Sequence, residues 1–129
     1  MNQYTKEQLN EKADKMFAYL RKPMPTMDKE NEVVQHLINL GRMMAESGEY
    51  KAFSQYNVDS IIHGEIGKSI AQIADSKLTA STLNAYVKAA AKDWNYLVNC
   101  FDRINSAAGK MMMAAQVIIS LEKEKMKMI

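Results

Sequence analysis

Apolar residues recur at alternating steps of four and three between Leu83 and Ile118, which is the spacing of a heptad repeat. The series consists of Leu83, Val87, Ala90, Trp94, Leu97, Phe101, Ile104, Ala108, Met111, Ala115 and Ile118. A strand would alternate with a period of two, and a loop would reset the phase, so this spacing predicts one long helix. We expect it over residues 81–125, with the earlier helices packed on it, because the spacing continues through Gly109 without a slip. The alternative is a bend near residues 105–109 that would make a hairpin.

Shorter helices are predicted before the long one. Thr5 and Gln8 have the spacing of a capping box, which starts the first helix, and Pro23 and Pro25 end it because proline disfavours helix in the residues before it. Gly48 is expected to terminate the second helix in a left-handed conformation. The predicted shorter helices cover residues 5–21, 27–47, 49–56 and 58–75. The fold class is therefore all-α, a helical bundle of four to five helices in a single domain.

Composition agrees with this class and sets bounds on function. Two prolines and five glycines in 129 residues leave long stretches of good helix formers. The net charge of +2 gives no basic arm or acidic tail that would indicate a polyionic partner. A single cysteine, Cys100, excludes an intramolecular disulfide, and the polar N-terminus lacks the apolar core of a signal peptide. We expect a cytoplasmic protein that does not span a membrane.

Beyond residue 107 the long helix carries apolar side chains on nearly all of its faces. A helix that is apolar all round is buried on several sides. The sequence therefore predicts a partner-binding surface here, occupied by a second copy in a homodimer or by another helical protein. The residues predicted to bind the partner are Met111, Met112, Met113, Val117, Ile118, Ile119 and Leu121. The alternative is that the first two helices fold back and cover this half within one chain.

Residues 69–86 have the pattern of a degenerate helix-turn-helix, with small residues on a first helix and a cluster of Ser, Thr and Asn at the start of a second. The residues that would contact DNA are Thr79, Ser81, Asn84 and Lys88. As a corner inside a helical bundle, the same residues need no DNA. The small net charge favours the corner, because DNA readers carry a basic footprint.

No catalytic, cofactor-binding or metal-binding constellation stands out in the sequence. The only histidines, His36 and His63, fall on different predicted helices, and His36 is expected to be solvated or to pair with Glu32 four residues earlier. Cys100 lies beside the heptad seam, where we expect a small buried side chain and not a nucleophile. The first hypothesis is therefore a non-enzymatic helical interaction or regulatory protein. The second is a small DNA-binding regulator.

Overall fold

The computed structural model describes residues 3–25, 30–75 and 80–127, which contain three α-helices and no strand. The helices are α1 (Lys6–Leu20), α2 (Glu30–Asp75) and α3 (Ala80–Lys127). The all-α class is confirmed, whereas the predicted count of four to five helices is wrong for the described part of the chain. None of the described helices is both long enough and apolar enough to cross a membrane.

The two long helices, α2 and α3, form an antiparallel hairpin. Gly41 lies against Met112, and twelve residues further along α2 the ring of Phe53 meets that of Trp94, so numbers rise on one helix as they fall on the other. At 1.5 Å per residue each helix is about 70 Å long. The hairpin is therefore the main scaffold, and the prediction of one dominant long helix accounts for only one of its two arms.

The short helix α1 packs on one side of the hairpin, antiparallel to α2. Tyr4 contacts the rings of Tyr50 and Phe53 at one end of α1, and Tyr19 stacks on His36 at the other. This three-helix section contains the fully buried core side chains Leu9, Leu40, Leu97, Phe101 and Ile104. The predicted capping box is present, because the Thr5 hydroxyl accepts from the backbone N–H of Gln8 and the Gln8 amide oxygen accepts from that of Thr5.

The predicted breaks within residues 30–75 do not exist, since α2 continues from Glu30 to Asp75. Gly48 does not have the positive φ of a helix terminator, and it faces the side chain of Asn105 on α3. At the predicted break before residue 58, the side-chain amide of Asn57 donates to the Phe53 carbonyl within α2. The packing of α2 against α3 stabilises the helix through these positions. The predicted start of the second helix at residue 27 lies outside the described residues.

The C-terminal helix α3 is continuous through Gly109, as the heptad spacing predicted. In the three-helix section, the predicted seam positions are buried or half-buried. At the two ends, Ala90 and Ile118 are exposed, while their neighbours Ala91 and Ile119 are the more buried residues. The buried positions differ from the predicted seam at the two ends because α1 covers a second side of α3 only in the middle of the hairpin. Elsewhere, only the side of α3 that faces α2 is buried.

Small side chains line the contact between α2 and α3. Ser47, Ser54, Ala108 and Ala115 are fully buried there. Small residues let two helix backbones approach closely. Asn105 crosses this contact, because its amide Nδ2 donates to the Met44 carbonyl at 2.8 Å and to the Ser47 hydroxyl at 3.3 Å. A polar group that is satisfied only in one alignment selects the register of paired helices.

Candidate interaction surface on the C-terminal half of helix α3

A row of large apolar side chains is exposed on α3 near the open end of the hairpin, towards the C-terminal end of α3. Met113, Val117 and Leu121 are 67%, 59% and 57% exposed, and we call these three residues the α3 stripe. They are four residues apart, so they lie on one face of the helix. Ala115 is fully buried, and Val117 is about 200° further around the helix. The α3 stripe therefore lies on the far side of α3 from the buried seam.

The surroundings of the α3 stripe form a shallow groove along one helix. Gln116, Ser120 and Glu124 line it together with the three apolar residues. Further apolar side chains are exposed at the same end of the hairpin: Ile118 on α3, and Val34 and Ile38 on α2. Single exposed apolar residues are common on proteins, but a contiguous row marks an interaction surface.

The structure divides the seven residues predicted to bind a partner into two groups. Met113, Val117, Ile118 and Leu121 are exposed. Met111, Met112 and Ile119 are half-buried within the chain itself, and Met111 and Met112 pack on the core. The end of the Met112 side chain lies 3.1 Å from the place a Cβ would occupy at Gly41. The alternative in which the chain covers this half of α3 itself is therefore confirmed in part, because α2 packs over one side of it and leaves the other side exposed.

Two exposed apolar residues of this region were missed by the sequence pattern. Val34 and Ile38, each about half exposed, belong to the same broad apolar face of α2 as the buried Val33 and Leu40. The signal that could have found them is the width of that face. A helix packed on one neighbour buries a stripe of about 100°, and the apolar residues of α2 span more than that.

Charged side chains of opposite sign lie at the two ends of the α3 stripe. Lys110 is exposed before Met113, and Glu124 is exposed after Leu121. Glu124 makes a long ion pair of 3.8 Å with Lys127 within the helix. Both charges lie on the same face as the apolar row, because seven residues make nearly two helical turns. The surface is thus an apolar row with a cation at one end and an anion at the other.

The residues predicted to contact DNA lie at the other end of the hairpin. Ser81, Asn84 and Lys88 are exposed on the first turns of α3, whereas Thr79 lies outside the described residues. Four residues separate the end of α2 at Asp75 from the start of α3 at Ala80. The helices on either side belong to an antiparallel hairpin, whereas the two helices of a helix-turn-helix cross at about 90–120°. The exposure of these side chains supports a DNA contact here, whereas the antiparallel arrangement of the two helices does not.

His36 is neither solvated nor paired with Glu32, contrary to the expectation from the sequence. It is buried, and its Nδ1 lies 2.7 Å from the Tyr19 hydroxyl of α1. That hydroxyl also accepts from the Asn39 amide at 3.3 Å, so we assign its own proton to the bond with His36 Nδ1. Burial lowers the pKa of His36 below its ordinary value. The histidine therefore connects α1 to α2 in its neutral form.

Other side chains that could carry chemistry are dispersed. Among residues 3–25, 30–75 and 80–127, no group of three or more His, Cys, Asp or Glu side chains is placed to hold a metal ion. Cys100 is a buried, free cysteine of the core, as the sequence predicted. His63 is exposed on α2.

Comparison of the chain with protein-family models, with curated proteins and with solved structures gives no match. Function must therefore be inferred from the geometry of the chain itself.

Proposed function

We propose that this chain is a non-enzymatic helical interaction protein that binds its partner through the α3 stripe. The observation that carries this proposal is the row of Met113, Val117 and Leu121, each more than half exposed. Fully burying a side chain of this size is worth about 1.5–3 kcal/mol. Leaving three of them adjacent in water forgoes much of that free energy, and a partner that covers them recovers it.

The shape of the surface favours a helical partner. The apolar residues follow one straight line along α3, and a second helix can lay its own apolar face along such a line. We propose that the partner is a second copy of the chain or another helical protein, which makes the contact a short coiled coil. No cofactor or metal takes part in this proposal. The proposed compartment is the cytoplasm, where a free buried cysteine such as Cys100 stays reduced.

Site-specific photo-crosslinking in cells tests the proposal. A photoreactive phenylalanine analogue at Val117 or Leu121 should form covalent protein adducts, because a bound helix would lie within reach. The matched control is the same analogue at Asn99, an exposed residue on the same face of α3, about five helical turns earlier. Absence of adducts at Val117 and Leu121, or equal yields at Asn99, would refute the proposal. The mass of each adduct identifies the partner as a second copy or a different protein.

A DNA-binding regulator is the second candidate, supported by the exposure of Ser81, Asn84 and Lys88. It differs from the first candidate in its salt dependence, since several phosphate contacts would make affinity fall steeply between about 50 and 200 mM salt. Titration of labelled duplex DNA at these two salt concentrations, with Asn84→Ala and Lys88→Ala as variants, distinguishes the two candidates.

A further inference from the structure

The exposed face of α3 is symmetric in side-chain size about Val117 and antisymmetric in charge. Met113 and Leu121 lie four residues before and after Val117, and Lys110 and Glu124 lie seven residues before and after it. All five side chains are exposed on one face of the helix. A face with this arrangement is complementary to a copy of itself turned through 180°.

We propose that the occupant of the α3 stripe is the α3 stripe of a second copy, held antiparallel by a two-fold axis that passes beside Val117. The proposal rests on the proposed function and names its partner. In this pairing Met113 meets Leu121 of the partner subunit, and Val117 meets Val117 of the partner subunit. Lys110 meets Glu124 of the partner subunit, and by symmetry this ion pair forms twice.

The charges select both the orientation and the occupant. In a parallel pair, Lys110 would meet Lys110 of the partner subunit and Glu124 would meet its own copy, so both ends would repel. The antiparallel pair turns both repulsions into attractions. An unrelated helix would need this order of charge and apolar residues by coincidence, whereas a second copy carries it necessarily.

The remainder of the fold leaves room for the second copy. Helix α2 packs on the opposite side of α3, through Met112 and the fully buried Ala115. The ion pair of Glu124 with Lys127 is 3.8 Å long and largely exposed, so it competes weakly for the carboxylate. The paired segment from Lys110 to Glu124 is about 21 Å long. So short a contact predicts a dimer that exchanges with monomer.

Charge exchange tests the pairing. Sedimentation velocity of the wild-type chain from about 1 μM to about 1 mM, a range over which weak complexes dissociate, should show a monomer–dimer equilibrium. Lys110→Glu and Glu124→Lys should each weaken dimerisation by about tenfold or more, since each variant places like charges together twice. The double variant should dimerise like wild type, and an equimolar mixture of the two single variants should form a heterodimer. Circular dichroism checks that every variant keeps its helix content.

A wild-type chain that stays monomeric throughout this range overturns the inference. Dimerisation of both single variants that is as strong as that of the wild type also overturns the inference, since the dimer would then use another face. Neither outcome decides the proposed function, which fails only if the photoreactive analogue at Val117 and Leu121 gives no adduct, or no more adduct than at Asn99. Adducts that contain only a different protein would leave the proposed function standing and refute the second copy.

Discussion

The contact between Tyr19 and His36 is the polar link that fixes the C-terminal end of α1 on α2. Tyr19 donates to the neutral imidazole and accepts from Asn39, so its hydroxyl is satisfied in both roles. A protonated imidazole has no acceptor at Nδ1, so the hydroxyl could no longer donate to it. The hydrogen bond in this direction requires a neutral His36, whereas a protonated imidazole would donate to the hydroxyl instead.

Stability should decrease in mild acid because of His36. Burial holds the pKa of His36 below 6.5 in the folded chain, whereas an unfolded chain takes up the proton near 6.5. As the pH falls below about 6.5, the unfolded state binds more protons than the folded state, so the free energy of unfolding falls. The loss levels off once the pH is below the pKa in the folded chain.

Urea titrations at about pH 7.5 and about pH 5.5, on either side of the ordinary histidine pKa, measure this effect. His36→Gln keeps a hydrogen-bonding side chain without a titrating group, so its midpoint should change less with pH than that of wild type. His63→Gln, at the exposed histidine, is the matched control and should keep the wild-type change. An equal pH response in all three proteins would contradict the prediction.

Residues whose partners are close in sequence were predictable, and those with distant partners were not. The capping box of Thr5 and Gln8 spans three positions and was predicted correctly. His36 was misplaced because Tyr19, its partner, lies on another helix and nothing in the local pattern indicates the contact. The hydrogen bonds of Asn105 were not predictable for the same reason, since its acceptors lie about 60 residues earlier in the chain.

At the scale of elements, the continuity of α2 shows that packing overrides helix propensity. A glycine inside a helix costs up to about 1 kcal/mol relative to alanine. The contacts that α2 makes on both sides of Gly48, through Leu40, Met43 and Tyr50, are each worth more when buried. The sequence showed which position of α2 has the lowest helix propensity, but not the packing contacts that compensate for it. Glycine alone was therefore a poor sign of a helix end.

Replacing Gly41, Gly48 or Gly64, which lie inside α2, by alanine should stabilise the chain. A Cβ at Gly64 would meet no atom within 4 Å, and at Gly48 it would meet only Asn105 Nδ2, at 3.8 Å. Gly64→Ala and Gly48→Ala should each raise the free energy of unfolding by about 0.5–1 kcal/mol, as measured by urea titration. Gly41→Ala should raise the free energy of unfolding by less, because the new Cβ would lie 3.1 Å from the end of the Met112 side chain, which must move away. A loss of stability in Gly48→Ala would indicate that Gly48 breaks the helix after all.

The exposed apolar surface of α3 was predictable as a region but not residue by residue. Three consecutive methionines must point in three directions, so the sequence showed that Met111, Met112 and Met113 could not all enter one core. Which of them faces outward depends on how α2 lies on α3. The position of α2 on α3 is set by the contact of Gly41 with Met112 and by the hydrogen bond of Asn105 to Met44. Both contacts join residues that are far apart in the sequence.

At the scale of the whole molecule, α1 covers only the middle of the hairpin. Between Tyr4, which contacts Phe53, and Tyr19, which contacts His36, α3 is packed against two helices. Towards the C-terminal end of α2 and the N-terminal end of α3, the described side chains of residues 57–65 and 84–90 are mostly exposed or half-buried. Local stability should therefore differ along the hairpin, with the three-helix section highest.

Native-state hydrogen exchange measures this difference directly. Backbone amides of residues 97–104 should exchange at least about tenfold more slowly than those of residues 57–65 and 84–90, because opening the middle requires α1 to detach. Leu9→Ala, which removes a fully buried α1 side chain, should reduce the contrast by weakening the three-helix section. Uniform protection along both long helices in the wild-type chain would contradict the prediction.

The position of α1 in the chain also governs how the molecule is made. Leu20, at the end of α1, is synthesised 84 residues before Ile104, a central side chain of the core. At about 5–20 residues per second, that interval lasts about 4–17 s. During that interval the nascent chain displays the apolar face of α1, and then that of α2 as it is synthesised, without the helix that buries them. Chaperones that recognise exposed apolar segments have that interval in which to bind, and it closes when the ribosome has released most of α3.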